Sequence, residues 1–204
     1  LALHRHGRLV AGGTVFVGGG AGSVGTALTR LAADAGARVV VSARPSDTDW
    51  CRGHGAGRVV DYRTLTAGDG YAMVEEFAPD GVDLWVETSG RHDLPGAVPR
   101  MAVGGRVVLL SGLAGAAATE LPVGAFYTRD VSLHGFAISN AGTDDLAAAA
   151  VGVNRLLASG RPPVVRIGAV LPFAEAARAH RIMAGAEPAP ARGRLVLVPP
   201  DGPG

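Results

Sequence analysis

The stretch Thr14-Val15-Phe16-Val17-Gly18-Gly19-Gly20-Ala21-Gly22-Ser23-Val24-Gly25 decides the fold of this chain. A β-branched and aromatic run meets a cluster of glycines, and the alanine-rich segment Thr26-Ala27-Leu28-Thr29-Arg30-Leu31-Ala32-Ala33 follows at once. The pattern reads as strand, tight turn, helix, the arrangement that cradles a dinucleotide pyrophosphate. Glycine suits the turn because only a residue without Cβ lets the backbone bend sharply and approach a phosphate closely. The N–H groups and dipole of the helix start then favour the anion. Two registers coexist: Gly20, Gly22 and Gly25 fit G-x-G-x-x-G, while Gly19, Gly22 and Gly25 fit G-x-x-G-x-x-G. With 31 glycines in the chain neither spacing is specific alone, and a merely structural turn has the same letters. A second strand, Arg38-Val39-Val40-Val41-Ser42, at the expected distance favours dinucleotide binding.

Outward from this unit, strand and helix signals alternate. Continuous apolar runs, suited to strands buried on both faces, predict strands at about 14–18, 38–43, 58–61, 82–87, 105–111 and 131–137. Helices are expected between them at about 23–35, 46–54, 70–78, 93–102 and 122–128. The class is therefore α/β: a doubly wound, mostly parallel, six-stranded Rossmann sheet in the order 3-2-1-4-5-6. Right-handed crossovers bring the strand ends to one edge, so the glycine turn, Ser42, Tyr62, Thr88 and Gly112 converge there. The last third changes character. Asp144 and Asp145 open a helix from Thr143 to Ser159, Gly160 closes it, and Pro162-Pro163 break the chain. A strand at about 164–170, a helix at about 173–183 and a strand at about 195–198 follow. The expected domains are 1–160 for the dinucleotide and 161–198 as a C-terminal strand-helix-strand segment, with 199–204 as a tail.

Composition narrows the function. The 204 residues are 48% hydrophobic and 18% charged, which excludes a disordered chain. A net charge of +1 with scattered arginines gives no reason to expect nucleic acid or an anionic membrane as partner, and no apolar run reaches membrane-span length. The single cysteine, Cys51, forms no internal disulfide and suits a reducing compartment, so a cytoplasmic location is expected. All 19 basic side chains are arginine, which excludes a P-loop with its G-K-[ST] and the Tyr-x-x-x-Lys pair of short-chain dehydrogenases. The six histidines are scattered without H-E-x-x-H spacing, so no metal, and in particular no zinc, is expected. The first residues, Leu1-Ala2-Leu3-His4-Arg5-His6-Gly7, carry no signal-peptide pattern and no initiating Met, so a fragment or processed chain is expected.

The end of the second strand speaks to the cofactor. An acid there would grip the adenosine ribose hydroxyls and favour NAD. This strand ends Val41-Ser42-Ala43-Arg44, with no carboxylate before Asp47. Arg44 is suited to a 2′-phosphate through charge-assisted bidentate contacts, and Ser42 to an added hydrogen bond. NADP is therefore expected over NAD, although Asp47 and Asp49 oppose a phosphate and Arg44 also reads as a solvated loop residue.

The order of these pieces resembles the C-terminal portion of the medium-chain dehydrogenase/reductase superfamily, and within it the zinc-independent quinone oxidoreductase branch. The resemblance rests on Val17-Gly18-Gly19-Gly20-Ala21-Gly22-Ser23-Val24-Gly25, Ala35-Gly36-Ala37-Arg38-Val39, Gly55-Ala56-Gly57, Asp61-Tyr62-Arg63, Val82-Asp83-Leu84 and Gly104-Gly105-Arg106-Val107-Val108. The closing Ala176-Ala177-Arg178-Ala179-His180 and Arg192-Gly193-Arg194-Leu195-Val196-Leu197-Val198 complete it. It implies NADPH-dependent hydride transfer to a quinone or an α,β-unsaturated carbonyl. Enoyl reduction in lipid or polyketide assembly is the near alternative, and a non-catalytic dinucleotide-binding or dimerisation module the distant one. It implies further that an N-terminal catalytic domain is missing here, with the 161–198 segment belonging to it or packing against it, so the chain alone is not expected to turn over efficiently. No catalytic residue is assigned. The resemblance places Tyr62 at the adenosine phosphate end, Thr88, Ser89 and Gly112 around the nicotinamide ribose, Phe136 beside the nicotinamide and Arg194 at the phosphates. Strand-end packing for Tyr62, turn chemistry for Thr88, Ser89 and Gly112, and core packing for Phe136 are the rival readings. It also implies a homodimer through the edge strand at 131–137.

Overall fold

The apolar runs of the sequence become six parallel strands. They are β1 (Thr14–Gly18), β2 (Arg38–Ala43), β3 (Arg58–Asp61), β4 (Val82–Glu87), β5 (Met101–Leu109) and β6 (Ser132–Gly135). In the computed structural model, which describes residues 1–65, 69–112, 118–160, 162 and 164–200, their order is β3-β2-β1-β4-β5-β6. This is the doubly wound Rossmann sheet that the sequence leads one to expect. The crossovers carry α1 (Ser23–Asp34), α2 (Thr48–Gly53), α3 (Asp69–Phe77), α4 (Leu94–Ala97) and α5 (Val123–Thr128), and α6 (Thr143–Ala158) follows β6. Among the described residues no helix is long and apolar enough to cross a membrane.

Side-chain alternation divides the core into two layers although the central strands are buried throughout. Val15, Val17, Val39, Val41, Leu84, Val86 and Val108 face one side, under Leu28 and Ala32 of α1, Cys51 of α2 and the N-terminal turn at Ala2 and Leu3. Phe16, Val40, Val60, Trp85 and Val107 face the other, against Tyr71 and Val74 of α3 and Leu94 and Ala97 of α4. Phe16 and Trp85 stack there at 3.7 Å between centroids. Burying such a side chain contributes about 2 kcal/mol each, so the register of the central strands is strongly specified.

The molecule divides into two compact units, Leu1–Pro163 and Val164–Gly204. In the second, β7 (Ile167–Pro172) and β8 (Arg194–Val198) pair in parallel, joined through α7 (Ala176–Met183). Leu171, Ala179 and Ile182 form its small core with Leu195 and Leu197. Within the tail expected at 199–204, positions 201–204 lie outside the described residues, as do 161 and 163 at the expected boundary.

Several boundaries differ from expectation for identifiable reasons. The helix expected at 93–102 ends as α4, passes through a 3-10 turn at Val98–Arg100 and gives way to β5 at Met101. Pro95 and Pro99 lack the N–H donors a longer helix needs. Gly104-Gly105, read as the turn before β5, lies inside it: Gly104 has φ +78° and the pairing with β4 shifts register there. β5 therefore starts at 101 rather than 105 and ends at 109 rather than 111. β6 covers 132–135 of the expected 131–137, following Asp130 in a left-handed conformation with φ 51°. β7 begins at 167 rather than 164, and residues 173–175 are a 3-10 turn before α7. The helical turn at Ala2–His6 carries no sequence signal recognised above.

Candidate dinucleotide site

β1 and β4 are neighbours, while the crossover from β1 leads the other way to β2. The carboxyl end of β1 is therefore the point at which the winding reverses, where open α/β sheets form their ligand crevice. The glycine turn sits there. Gly19 takes φ +76°, a conformation that side chains rarely adopt. Gly22 N–H closes the turn on Gly19 O at 3.0 Å. A Cβ on Gly25 would lie 2.1 Å from Gly19 O and 2.8 Å from Gly20 Cα, so α1 packs on the turn with no room for a methyl group. One on Gly20 would strike Val41 Cβ at 2.5 Å. Gly22 is the N-cap of α1, yet it brings no side chain to cap the helix, and no acid occupies the first turn. The start of a 12-residue helix thus lacks the internal carboxylate that would compete with an external anion. Gly22, Ser23 and Val24 are exposed there and Ala21 is half-buried.

Neighbouring strands fix the turn. Ser42, buried at the end of β2, accepts the Gly19 N–H on its Oγ at 3.1 Å, and its carbonyl accepts Gly20 N–H at 2.9 Å. Ser42 is therefore bound into the turn, where sequence reading placed its hydroxyl toward a 2′-phosphate. Thr26 donates to Gly20 O at 3.2 Å and accepts from Trp50 Nε1 at 3.0 Å. Thr88 donates to Gly18 O at 2.6 Å, tying the end of β4 to β1. Glu87, beneath it, is 7% exposed and accepts Ser89 N–H at 2.6 Å. Burial raises its carboxyl above the usual range, opposed by the bonds from Ser89 and by His92.

The remaining expected residues of the first unit follow the carboxyl ends of the same parallel strands. Arg44 is exposed just beyond β2, and Asp47, one of the two acids that would oppose a phosphate there, is 2% exposed. Tyr62 follows β3, half-buried, with the Arg91 guanidinium 4.5 Å from its ring centroid. Gly112 follows β5 at φ +130°, against the His92 imidazole. Phe136, just past β6, packs on the first core layer and on His6, 4.8 Å between ring centroids, so its observed contacts are those of core packing. Arg194 opens β8 in the second unit. Thr26, Trp50, Glu87 and Arg91 were not singled out from sequence. A Thr in the first turn after a glycine loop, and an acid at a strand end, were available signals; Trp50 and Arg91 act on partners far along the chain and leave none.

Cys51 is 1% exposed within α2, and among the described residues no three His, Cys, Asp or Glu side chains gather as a metal site.

The chain is similar to known proteins over most of its length. Residues 23–152 match the zinc-binding dehydrogenase family. The crystal structure of AibC superimposes with a TM-score of 0.81 at 31% identity, covering 98% of this chain and 52% of AibC. An NAD-dependent alcohol dehydrogenase does so at 0.74 and 24% identity, covering 96% and 54%. Mycobacterial Rv1454c, solved with NADPH, does so at 0.74 and 23%, covering 97% and 60%. The chain spans about half the length of the solved relatives it matches. No curated protein matches it. With the family match covering well over half its residues, the chain belongs to the zinc-binding dehydrogenase family of the medium-chain dehydrogenase/reductase superfamily.

Proposed function

We propose that this chain is the NADPH-binding part of an oxidoreductase that passes hydride, without zinc, to a quinone or an α,β-unsaturated carbonyl. The observation that carries the reading is the glycine turn at the reversal of the winding, with Gly25 packed on Gly19 and an exposed helix start that no side chain caps. The turn fits a pyrophosphate: Gly19, Gly20, Ala21, Gly22, Ser23, Val24 and Gly25 supply close backbone approach and amide donors. The bound nicotinamide supplies the hydride, and the chain's own residues bind and orient it. Ser42 holds the turn in shape through Gly19. Arg44 faces the 2′-phosphate, and Tyr62 the adenosine side. Thr88, Ser89 and Gly112 lie at the strand ends facing the nicotinamide ribose, and Phe136 follows the end of β6. Support for NADP over NAD is the carboxylate-free end of β2, together with the burial of Asp47 and the exposure of Arg44.

The β6 edge pairs with its copy in a two-fold dimer in this reading. Leu133 is exposed on it, and β6 has a sheet neighbour on one side alone. Light scattering on the eluting chain is expected to give twice the chain mass; a monomer at all concentrations refutes the dimer.

The test of the function is a shift in unfolding temperature with added nucleotide. NADPH is expected to stabilise the chain in proportion to the logarithm of its concentration, and Gly25→Ala to abolish the shift. Acceptor class is tested by loss of reduced nicotinamide absorbance with quinones, enones, enoyl thioesters and simple aldehydes, using the chain joined to its catalytic half. Turnover confined to enoyl thioesters would place it with enoyl reductases, and turnover confined to simple aldehydes with alcohol dehydrogenases.

A further inference from the structure

We propose that Arg91 belongs, with Arg44, to the 2′-phosphate site and sets the preference for the phosphorylated cofactor; this rests on the dinucleotide reading above. Arg91 leaves the sheet in the loop after β4, yet its guanidinium lies over Tyr62, just beyond β3. The order β3-β2-β1-β4 puts two strands between them. At the usual strand spacing the two strand ends are about 14 Å apart. The Arg91 loop and side chain therefore reach across the ends of β1 and β2, past the glycine turn, toward the side of the crevice that holds an adenosine ribose.

The loop that aims it is built. Gly90 has φ +79°, and Arg91 N–H donates to Ser89 Oγ at 3.1 Å, while Ser89 N–H is held by Glu87. Among the described residues no carboxylate forms an ion pair with the guanidinium. Arg63, next to Tyr62 in the chain, is paired with Asp61 at 2.7 Å, whereas among the described ion pairs none includes Arg91. It rests on an aromatic face, a contact weaker than the bidentate bonds a guanidinium makes to a phosphate. Tyr62 thus serves as a perch that holds the cation at the β3 side until a phosphate takes it. Arg44, exposed just past β2, approaches the same end of the sheet from the adjacent strand. Two arginines of this kind suit a phosphate dianion and have no counterpart in NAD, whose ribose carries a hydroxyl there.

Dissociation constants for NADPH and NADH are to be measured by calorimetry on the full chain, its Arg91→Gln variant and its Tyr62→Leu variant. Arg91→Gln is expected to weaken NADPH binding about tenfold or more and NADH binding less than about twofold. The dependence of NADPH binding on salt should fall with it. Tyr62→Leu is expected to lower NADPH affinity by a smaller factor, since the charge remains. Equal losses for both nucleotides would overturn the proposal and move Arg91 to the part the two share. No loss for either would overturn it outright. A wild-type chain that binds neither nucleotide would overturn the dinucleotide reading beneath it. Unchanged unfolding midpoints are expected for Arg91→Gln because the side chain is exposed.

Discussion

Replacing Gly25 by alanine is the sharpest perturbation of this fold. Gly25 is the third residue of α1, so propensity alone makes the substitution favourable by about 1 kcal/mol. The geometry opposes it. The new methyl would sit 2.1 Å from Gly19 O, 2.8 Å from Gly19 C and 2.8 Å from Gly20 Cα, all backbone atoms. No flexible side chain can swing aside, so the turn or the helix must move. Overpacking costs about 1–3 kcal/mol, and a clash confined to backbone belongs at the upper end. The net expectation is a loss of about 2 kcal/mol. Gly152, inside α6 of the same unit, is the control: a Cβ there meets nothing within 4 Å. Gly152→Ala should therefore gain about 1 kcal/mol. Urea unfolding followed by circular dichroism reads both variants against wild type. If Gly25→Ala is as stabilising as Gly152→Ala, the turn and helix do not pack this closely and the turn is not a phosphate cradle.

Three further outcomes follow from the same edge of the sheet. Ser42→Ala removes the acceptor of the Gly19 N–H and should cost about 1 kcal/mol of stability, with weaker nucleotide binding; an unchanged affinity would show that the turn holds its shape without it. Glu87 has a raised carboxyl pKa in the fold because it is buried, so its ionised form is penalised and the penalty grows as pH rises from the ordinary carboxylate range toward the raised pKa. Glu87→Gln should accordingly raise the unfolding midpoint at neutral pH, with the advantage shrinking as pH falls into the ordinary carboxylate range; an advantage that grows on acidification would reverse the assignment. Trp50→Phe removes the bond to Thr26 and should lower nucleotide affinity slightly, read by titration; a stronger loss than for Ser42→Ala would mean that Trp50 meets the nucleotide itself.

The sheet was legible because its signals are local. Val15 to Val17, Val39 to Val41 and Leu84 to Val86 are short apolar runs bounded by turn residues, and each became a buried central strand. The order of the strands followed from one rule of handedness applied to a glycine turn. Legibility failed where a local signal has two meanings. Gly104-Gly105 marks a turn or a bulge with equal force, and pairing with β4 decided for the bulge. At the site, the residues that touch a neighbour close in sequence were visible, and those that act across the fold were not. Ser42 was noticed for its position at a strand end, but its hydroxyl is directed to Gly19, 23 residues away, a partner that only folding supplies. Arg91 has no periodicity or motif to mark it. Its place over Tyr62 arises from the strand order and the turn at Gly90, neither of which belongs to the residue itself.

Calorimetric titration of this chain with NADPH and with NADH tests the central claim most directly. The glycine turn and the carboxylate-free end of β2 require saturable one-to-one binding of both, with NADPH the tighter. Tighter NADH would contradict the assignment of Arg44, and the absence of heat or saturation with either nucleotide would contradict the claim that the turn is a phosphate cradle.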